Sequence, residues 1–162
     1  MATCFVYGTL LAEEVLARVL FGRLTLEGTP ISRQEAVLKG YKRYKLKDRD
    51  YPGIVAGNPD DKVIGRLVFN VDEAGLQRLD DFEGTEYKRV TVDVTAADGS
   101  VHQANTYLFL DTDLLNPDAG EWYLDDFQKF KMKNWIADEL GATEGLGGRF
   151  WNTTQPTATA QE

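Results

Sequence analysis

Histidine and cysteine are almost absent from this chain: His102 and Cys4 are the only examples in 162 residues. A single histidine excludes a multi-histidine metal site, and a Ser-His or Cys-His machine would hang on one residue. One cysteine allows no intrachain disulfide, which fits a reducing compartment and a cytoplasmic location. No apolar run approaches the roughly 20 residues that span a bilayer, and the N-terminus has neither the basic flank nor the apolar body of a signal peptide. Positive charge is also short. The net charge of −8 argues against nucleic acid, whose affinity rests on Lys and Arg neutralising phosphates. None of this bears on oligomeric state. What remains is a chain of single-domain length whose 43% hydrophobic content is ample for a core.

Along the chain, residues 3–7 alternate and are rich in β-formers, predicting a first strand that Gly8 breaks. Val15, Leu16, Val19 and Leu20 recur at helical spacing within 12–21, behind the acidic pair Glu13-Glu14, and Gly22 ends that helix. Residues 22–33 read as a loop. Strands are expected over 36–44, 53–57 and 63–69, separated by turn-rich segments around Pro52-Gly53 and Asn58-Pro59. Residues 72–82 read as a helix with Asp72 as N-cap, stopped by Gly84. A hairpin over 86–95 and 101–110 turns at Asp98-Gly99. A last helix over 125–140 is expected to bury Phe127, Met132, Trp135, Ile136 and Leu140, with Gly141 at its end. The order β-α-βββ-α-ββ-α predicts an α+β fold, a small mixed β-barrel flanked by helices. Residues 1–151 read as one domain, and 152–162 as a disordered tail with nothing to bury.

Two segments could carry chemistry. At Tyr7-Gly8-Thr9-Leu10 a strand runs through glycine towards a helix. Such a junction is either a plain tight turn or a place where backbone N–H groups meet a ligand carboxylate or phosphate. The nucleotide-loop glycine patterns are absent. In Leu79-Asp80-Asp81-Phe82-Glu83-Gly84, the spacing of Leu76, Leu79 and Glu83 puts Glu83 on the buried stripe, while Asp80 lies further round, towards water. A carboxylate on that stripe would have its pKa raised by desolvation, by Asp80, Asp81 and Glu86, and by the helix C-terminus. A carboxyl tuned towards neutrality suits general acid/base work. The plainer alternative is that the helix frays and Glu83 turns outward. The acids lack the spacing of a calcium loop.

Taken together, the motifs resemble the gamma-glutamylcyclotransferase-like fold family, in its avirulence-induced-gene branch. The resemblance rests on Phe5-Val6-Tyr7-Gly8-Thr9-Leu10, Tyr51-Pro52-Gly53-Ile54 and Gly65-x-Leu67-Val68-Phe69. It continues through Leu79-Asp80-x-Phe82-Glu83-Gly84-x-x-Tyr87-x-Arg89 and Ala104-x-x-Tyr107-x-Phe109, with a less diagnostic match at Trp122-Tyr123-Leu124-Asp125-Asp126-Phe127. It implies an enzyme that cyclises a γ-glutamyl amide to 5-oxoproline and releases an amine or amino acid, with no metal or organic cofactor. By the same match Glu83 is the general acid/base, and Tyr7, Gly8, Thr9 and Leu10 bind the substrate's α-carboxylate end. Tyr51, Tyr87 and Tyr107 stand at positions that would line the pocket, though strand packing fits Tyr87 and Tyr107 equally and a turn aromatic is the plainer reading of Tyr51. The implied partner is a small γ-glutamyl compound.

Two other functions fit the same residues: a non-catalytic binding or stress-response protein that keeps the pocket, and an enzyme acting on a different amide or ester. Cys4 is expected to be a buried strand residue and His102 a strand-surface one. The basic run Lys42, Arg43, Lys45, Lys47 and Arg49 is expected to be a solvated strand face.

Overall fold

β1 (Ala2–Val6) is apolar on both faces, and its alternation divides it between two cores. Phe5 and then Tyr7 pack with Leu38, Ile54, Leu67 and Val94, whereas Cys4 and Val6 pack with Leu16, Leu20 and Leu79. A strand covered on both sides reads as a continuous apolar run rather than an alternating one. In the computed structural model, which describes residues 1–132, β1 is followed by a 3-10 turn, Thr9–Leu11, and helix α1 (Glu13–Phe21). Val15, Leu16, Val19 and Leu20 of α1 are all buried. The helix ends at Gly22, in the left-handed region with φ 70°, and the Gly22 N–H closes the last turn on Arg18 O at 2.9 Å.

β2 (Ser32–Lys39) and β3 (Tyr41–Lys45) occupy the stretch read as one strand over 36–44. Gly40, at φ 84°, divides it, because that conformation is open to glycine and breaks a pleated strand. β2 also begins inside the stretch read as a loop. β3 pairs with β4 (Pro52–Ala56) as a separate two-stranded sheet, so these strands form a flap outside the barrel. β5 (Lys62–Val71), β6 (Tyr87–Ala96) and β7 (Val101–Phe109) complete it, with β6 and β7 joined at the expected Asp-Gly turn.

The barrel is closed in the order β1-β5-β2-β6-β7. Its neighbours are antiparallel except for β1 and β7, which run parallel where Cys4 faces Asn105. The fold is thus the α+β mixed barrel with flanking helices that the pattern predicts. Helix α2 (Glu73–Glu83) packs on α1 and is capped by Asp72, whose carboxylate accepts the Gly75 N–H at 2.7 Å. Helix α3 is described over Leu124–Phe130 and buries Phe127. Met132, just beyond it, is half-buried and packs against the helix-side core; residues 133–140 of the expected helix, the end of the domain at 151 and the tail at 152–162 lie outside the described residues. No described helix is long and apolar enough to cross a membrane.

Candidate active site

Where β1 leaves the sheet, Tyr7 is buried and its hydroxyl donates to Tyr107 O on β7 at 2.6 Å. That bond fixes the strand end across the barrel seam. Gly8 follows, and a Cβ there would lie 2.9 Å from Pro52 Cδ and 3.0 Å from Pro52 Cγ, so the flap can close against the turn only over glycine. The turn's own bonds run from Leu11 N–H to Gly8 O and from Ala12 N–H to Thr9 O, which leaves the N–H groups of Gly8, Thr9 and Leu10 outside them.

The turn closes one end of a cavity of about 420 Å³. The cavity is also lined by Tyr51 and Pro52 from the flap, by Phe82 and Glu83 from the end of α2, and by Tyr87 and Tyr107 from the barrel. Tyr7, Gly8, Thr9, Leu10, Tyr51, Glu83, Tyr87 and Tyr107, all singled out from the sequence, therefore meet at one cavity although they span a hundred residues.

Glu83 is the last residue of α2. Leu79, one turn earlier, is buried in the helix-side core, and Leu76 packs against that core. The stripe thus carries the Glu83 carboxyl to the cavity wall rather than out to water. Burial pushes its pKa up, and the charge of Asp80 adds to the effect, raising it from the ordinary 4.5 to about 8. Of the three acids expected to act on it, Asp80 is the one that does. Asp81 is exposed and accepts from Gln77 Nε2 at 3.1 Å. Glu86 accepts the Tyr51 hydroxyl at 2.6 Å and an Arg49 guanidinium N–H at 2.8 Å. Burial pushes Glu86 up, but these two bonds and the Arg49 charge outweigh it and hold the carboxyl below its usual value.

Asp80 is not simply turned to water, as the helix count suggests. On the β6–β7 ladder Arg89 stands directly opposite Tyr107, so the two side chains share a face. Asp80 takes a 2.7 Å bond from the Tyr107 hydroxyl and pairs with Arg89 Nε at 3.0 Å. Tyr87, two residues along the same face, donates to Pro52 O at 2.7 Å and packs edge-on against Phe109. The tyrosines thus line the cavity and also brace strand to flap and strand to helix. Burial raises the pKa of Tyr7, Tyr87, Tyr51 and Tyr107, so each stays a neutral donor.

The basic run departs from its expected role as a solvated face. Arg43 donates to Tyr7 O at 2.8 Å and Ile64 O at 3.1 Å and pairs with Glu121 at 2.9 Å; Arg49 anchors Glu86. Lys42 and Lys47 are exposed as expected. Spacing alone could not find Arg43 or Arg49, because each partner lies on a distant segment. Cys4 is buried, with its thiol pushed up to about 12 mainly by that burial. His102 is half-buried and lies edge-on to Phe69. Among the described residues no cluster of three or more His, Cys, Asp or Glu side chains is arranged to hold a metal ion.

Comparison with known proteins gives a consistent result. The family model described as "Gamma-glutamyl cyclotransferase, AIG2-like" matches residues 4–124. Protein AIG2 C of Arabidopsis thaliana is 39% identical over 130 residues, covering 79% of this chain and 71% of the relative. A solution structure of another Arabidopsis thaliana protein superposes with a TM-score of 0.60 at 30% identity, covering 96% of this chain and 86% of that one. A solved structure titled gamma-glutamyl cyclotransferase shares the fold, with a TM-score of 0.54 at 20% identity over 68% of this chain and 67% of its own.

Proposed function

The chain belongs to the gamma-glutamyl cyclotransferase, AIG2-like family, and from that premise we propose that it cyclises the γ-glutamyl group of a γ-glutamyl amide to 5-oxoproline, releasing an amine or amino acid. The observation that carries this reading is the Glu83 carboxyl, desolvated on the wall of the cavity that the Gly8 turn closes.

In this reaction the substrate's α-ammonium gives a proton to the Glu83 carboxylate. The freed amine attacks its own γ-carbonyl carbon, forming the ring C–N bond. The bond to the leaving nitrogen then breaks as protonated Glu83 returns the proton to it. The ring nitrogen, still carrying a second proton and a positive charge, gives that proton to the regenerated Glu83 carboxylate, which passes it to the released amine. Two protons thus move from the attacking to the departing nitrogen, and the carboxylate is restored without redox change. Nucleophile and electrophile sit in one molecule, so binding the substrate in a folded conformation supplies much of the acceleration. A base near 8 stands much closer to an amine's own pKa than an ordinary carboxylate does, so the proton passes in both directions at modest cost. Of the acids lining the cavity, Glu86 is already committed to Tyr51 and Arg49, and Asp81 is exposed and accepts from Gln77. The N–H groups of Gly8, Thr9 and Leu10 would receive the substrate's α-carboxylate, and Tyr51 and Tyr87 would flank its aliphatic part.

The test is to incubate the purified protein with γ-glutamyl amino acids and γ-glutamyl amines, including γ-glutamyl-lysine, and to measure 5-oxoproline by mass spectrometry. Release by the wild type is expected, with a loss of roughly 10²–10⁴-fold in Glu83→Gln. Tight binding of these compounds with no 5-oxoproline from any of them would make this a binding protein. Activity of Glu83→Gln within a few-fold of wild type would remove Glu83 from its role.

A further inference from the structure

Arg43 belongs to β3, on the flap, and its side chain is only 14% exposed. Its guanidinium reaches to where β1 leaves the β1–β5 ladder. The last pair of that ladder is Val6 with Arg66. Beyond it one guanidinium nitrogen takes both carbonyls, Tyr7 O at 2.8 Å and Ile64 O at 3.1 Å, while Nε is held by Glu121 at 2.9 Å. Arg43 thus supplies donors where the strands part, and a planar fork held at its other end keeps its direction.

The carbonyl it holds belongs to the peptide that also carries the Gly8 N–H. That peptide is trans and planar, so its C=O and N–H point in opposite directions. Tyr7 and Gly8 both line the cavity, and Arg43 does not. We infer that Arg43 is a positioning residue for the carboxylate-binding turn: by holding the Tyr7 carbonyl away from the cavity it aims the Gly8 N–H into it. A charged donor on the carbonyl also polarises the peptide and strengthens its N–H as a donor to an anion. Arg43 touches no reacting atom and acts through one peptide plane. The inference rests on the reading of the Gly8 turn as the site of the substrate's α-carboxylate.

The product 5-oxoproline keeps that carboxylate, and its carboxamide replaces it with a neutral group of the same shape. Dissociation constants for both ligands are to be measured by NMR titration on wild type, Arg43→Gln, Arg43→Lys and the exposed control Lys47→Ala. Wild type and Lys47→Ala should prefer the carboxylate. Arg43→Gln should lose about ten-fold of that preference, the scale of one charge-assisted hydrogen bond, and Arg43→Lys should recover part of it. In turnover the loss should fall on KM with kcat within a few-fold, because the carboxylate is held equally in ground and transition states. A general loosening of the fold would weaken both ligands alike and leave their ratio unchanged.

If wild type shows no preference, the carboxylate reading of the turn falls and this inference with it. If wild type prefers the carboxylate and Arg43→Gln does so equally, the turn keeps its role and Arg43 loses its own. Should Arg43→Gln fail to fold, Glu121→Gln decides. Freeing the far end of the guanidinium should cost about three-fold in the ratio, and an unchanged ratio overturns the inference.

Discussion

Glu83→Gln keeps the side chain's shape and removes its titration, and it should make the fold more stable in alkaline solution as activity disappears. The folded-state pKa is raised, from 4.5 to about 8. The native state therefore binds more protons than the unfolded chain across that interval, and wild-type stability falls as pH rises through it. The contribution is fully present below about 4.5, drains away up to about 8, and changes no further above that. At about 1.4 kcal/mol per ten-fold, holding the ionised carboxylate in the cavity costs about 5 kcal/mol, a large share of the 5–15 kcal/mol typical of a domain. About 4 kcal/mol of it develops between pH values of about 5 and 9. The glutamine carries its own cost of burying an amide, but that cost is the same at every pH and cancels when two pH values are compared. The assay is urea unfolding of both proteins at the two pH values, followed by tryptophan fluorescence. The stability difference should move by about 4 kcal/mol in favour of the variant on going to the higher pH. A difference that stays constant within about 1 kcal/mol would refute the burial argument for Glu83, whatever the activity of the variant.

On the proposed mechanism the ionised Glu83 carboxylate is the base, so kcat/KM should rise with pH through about 8, and the kcat limb should lie lower because a bound α-ammonium favours the anion. Asp80→Asn removes the like charge and should move the kcat/KM limb to lower pH; a limb that stays in place would mean that Asp80 does not act on Glu83. Gly8→Val brings a branched side chain against the Pro52 ring, where a Cβ already lies 2.9 Å from Cδ. KM should rise about ten-fold or more in a protein with wild-type circular dichroism, and a normal KM would leave Gly8 a turn residue only.

The legible parts of the sequence were those fixed by neighbours in the chain. Asp72 and Gly84 bracket α2 through local capping, and the spacing of Leu76, Leu79 and Glu83 carries the glutamate inward because a helix face is set by counting. The Asp98-Gly99 turn fixes the β6–β7 register in the same local way. The rest depends on partners far along the chain. The split at Gly40 follows from β2 joining the barrel while β3 pairs with β4 in the flap, and alternation within 36–44 holds no record of those partners. A helix wheel turns Asp80 towards water because it does not contain Tyr107 and Arg89. Arg43 and Arg49 look like surface charge until Tyr7, Ile64 and Glu86 are brought beside them.

The parallel seam between β1 and β7 has a consequence for when the cavity comes into being during folding. The bonds that close it, Tyr7 to Tyr107 and Thr106 to Phe5, join residues 100 and 101 positions apart. Contacts of such separation carry the largest loop-closure entropy and form slowly. β1 is synthesised first, yet it has no parallel neighbour until β7 has emerged. β1 can pair with β5 as soon as β5 has emerged, but until the β1–β7 seam closes the cavity lacks its Tyr107 wall and the Tyr7 hydroxyl lacks its acceptor. Closing the barrel is thus also the step that completes the cavity.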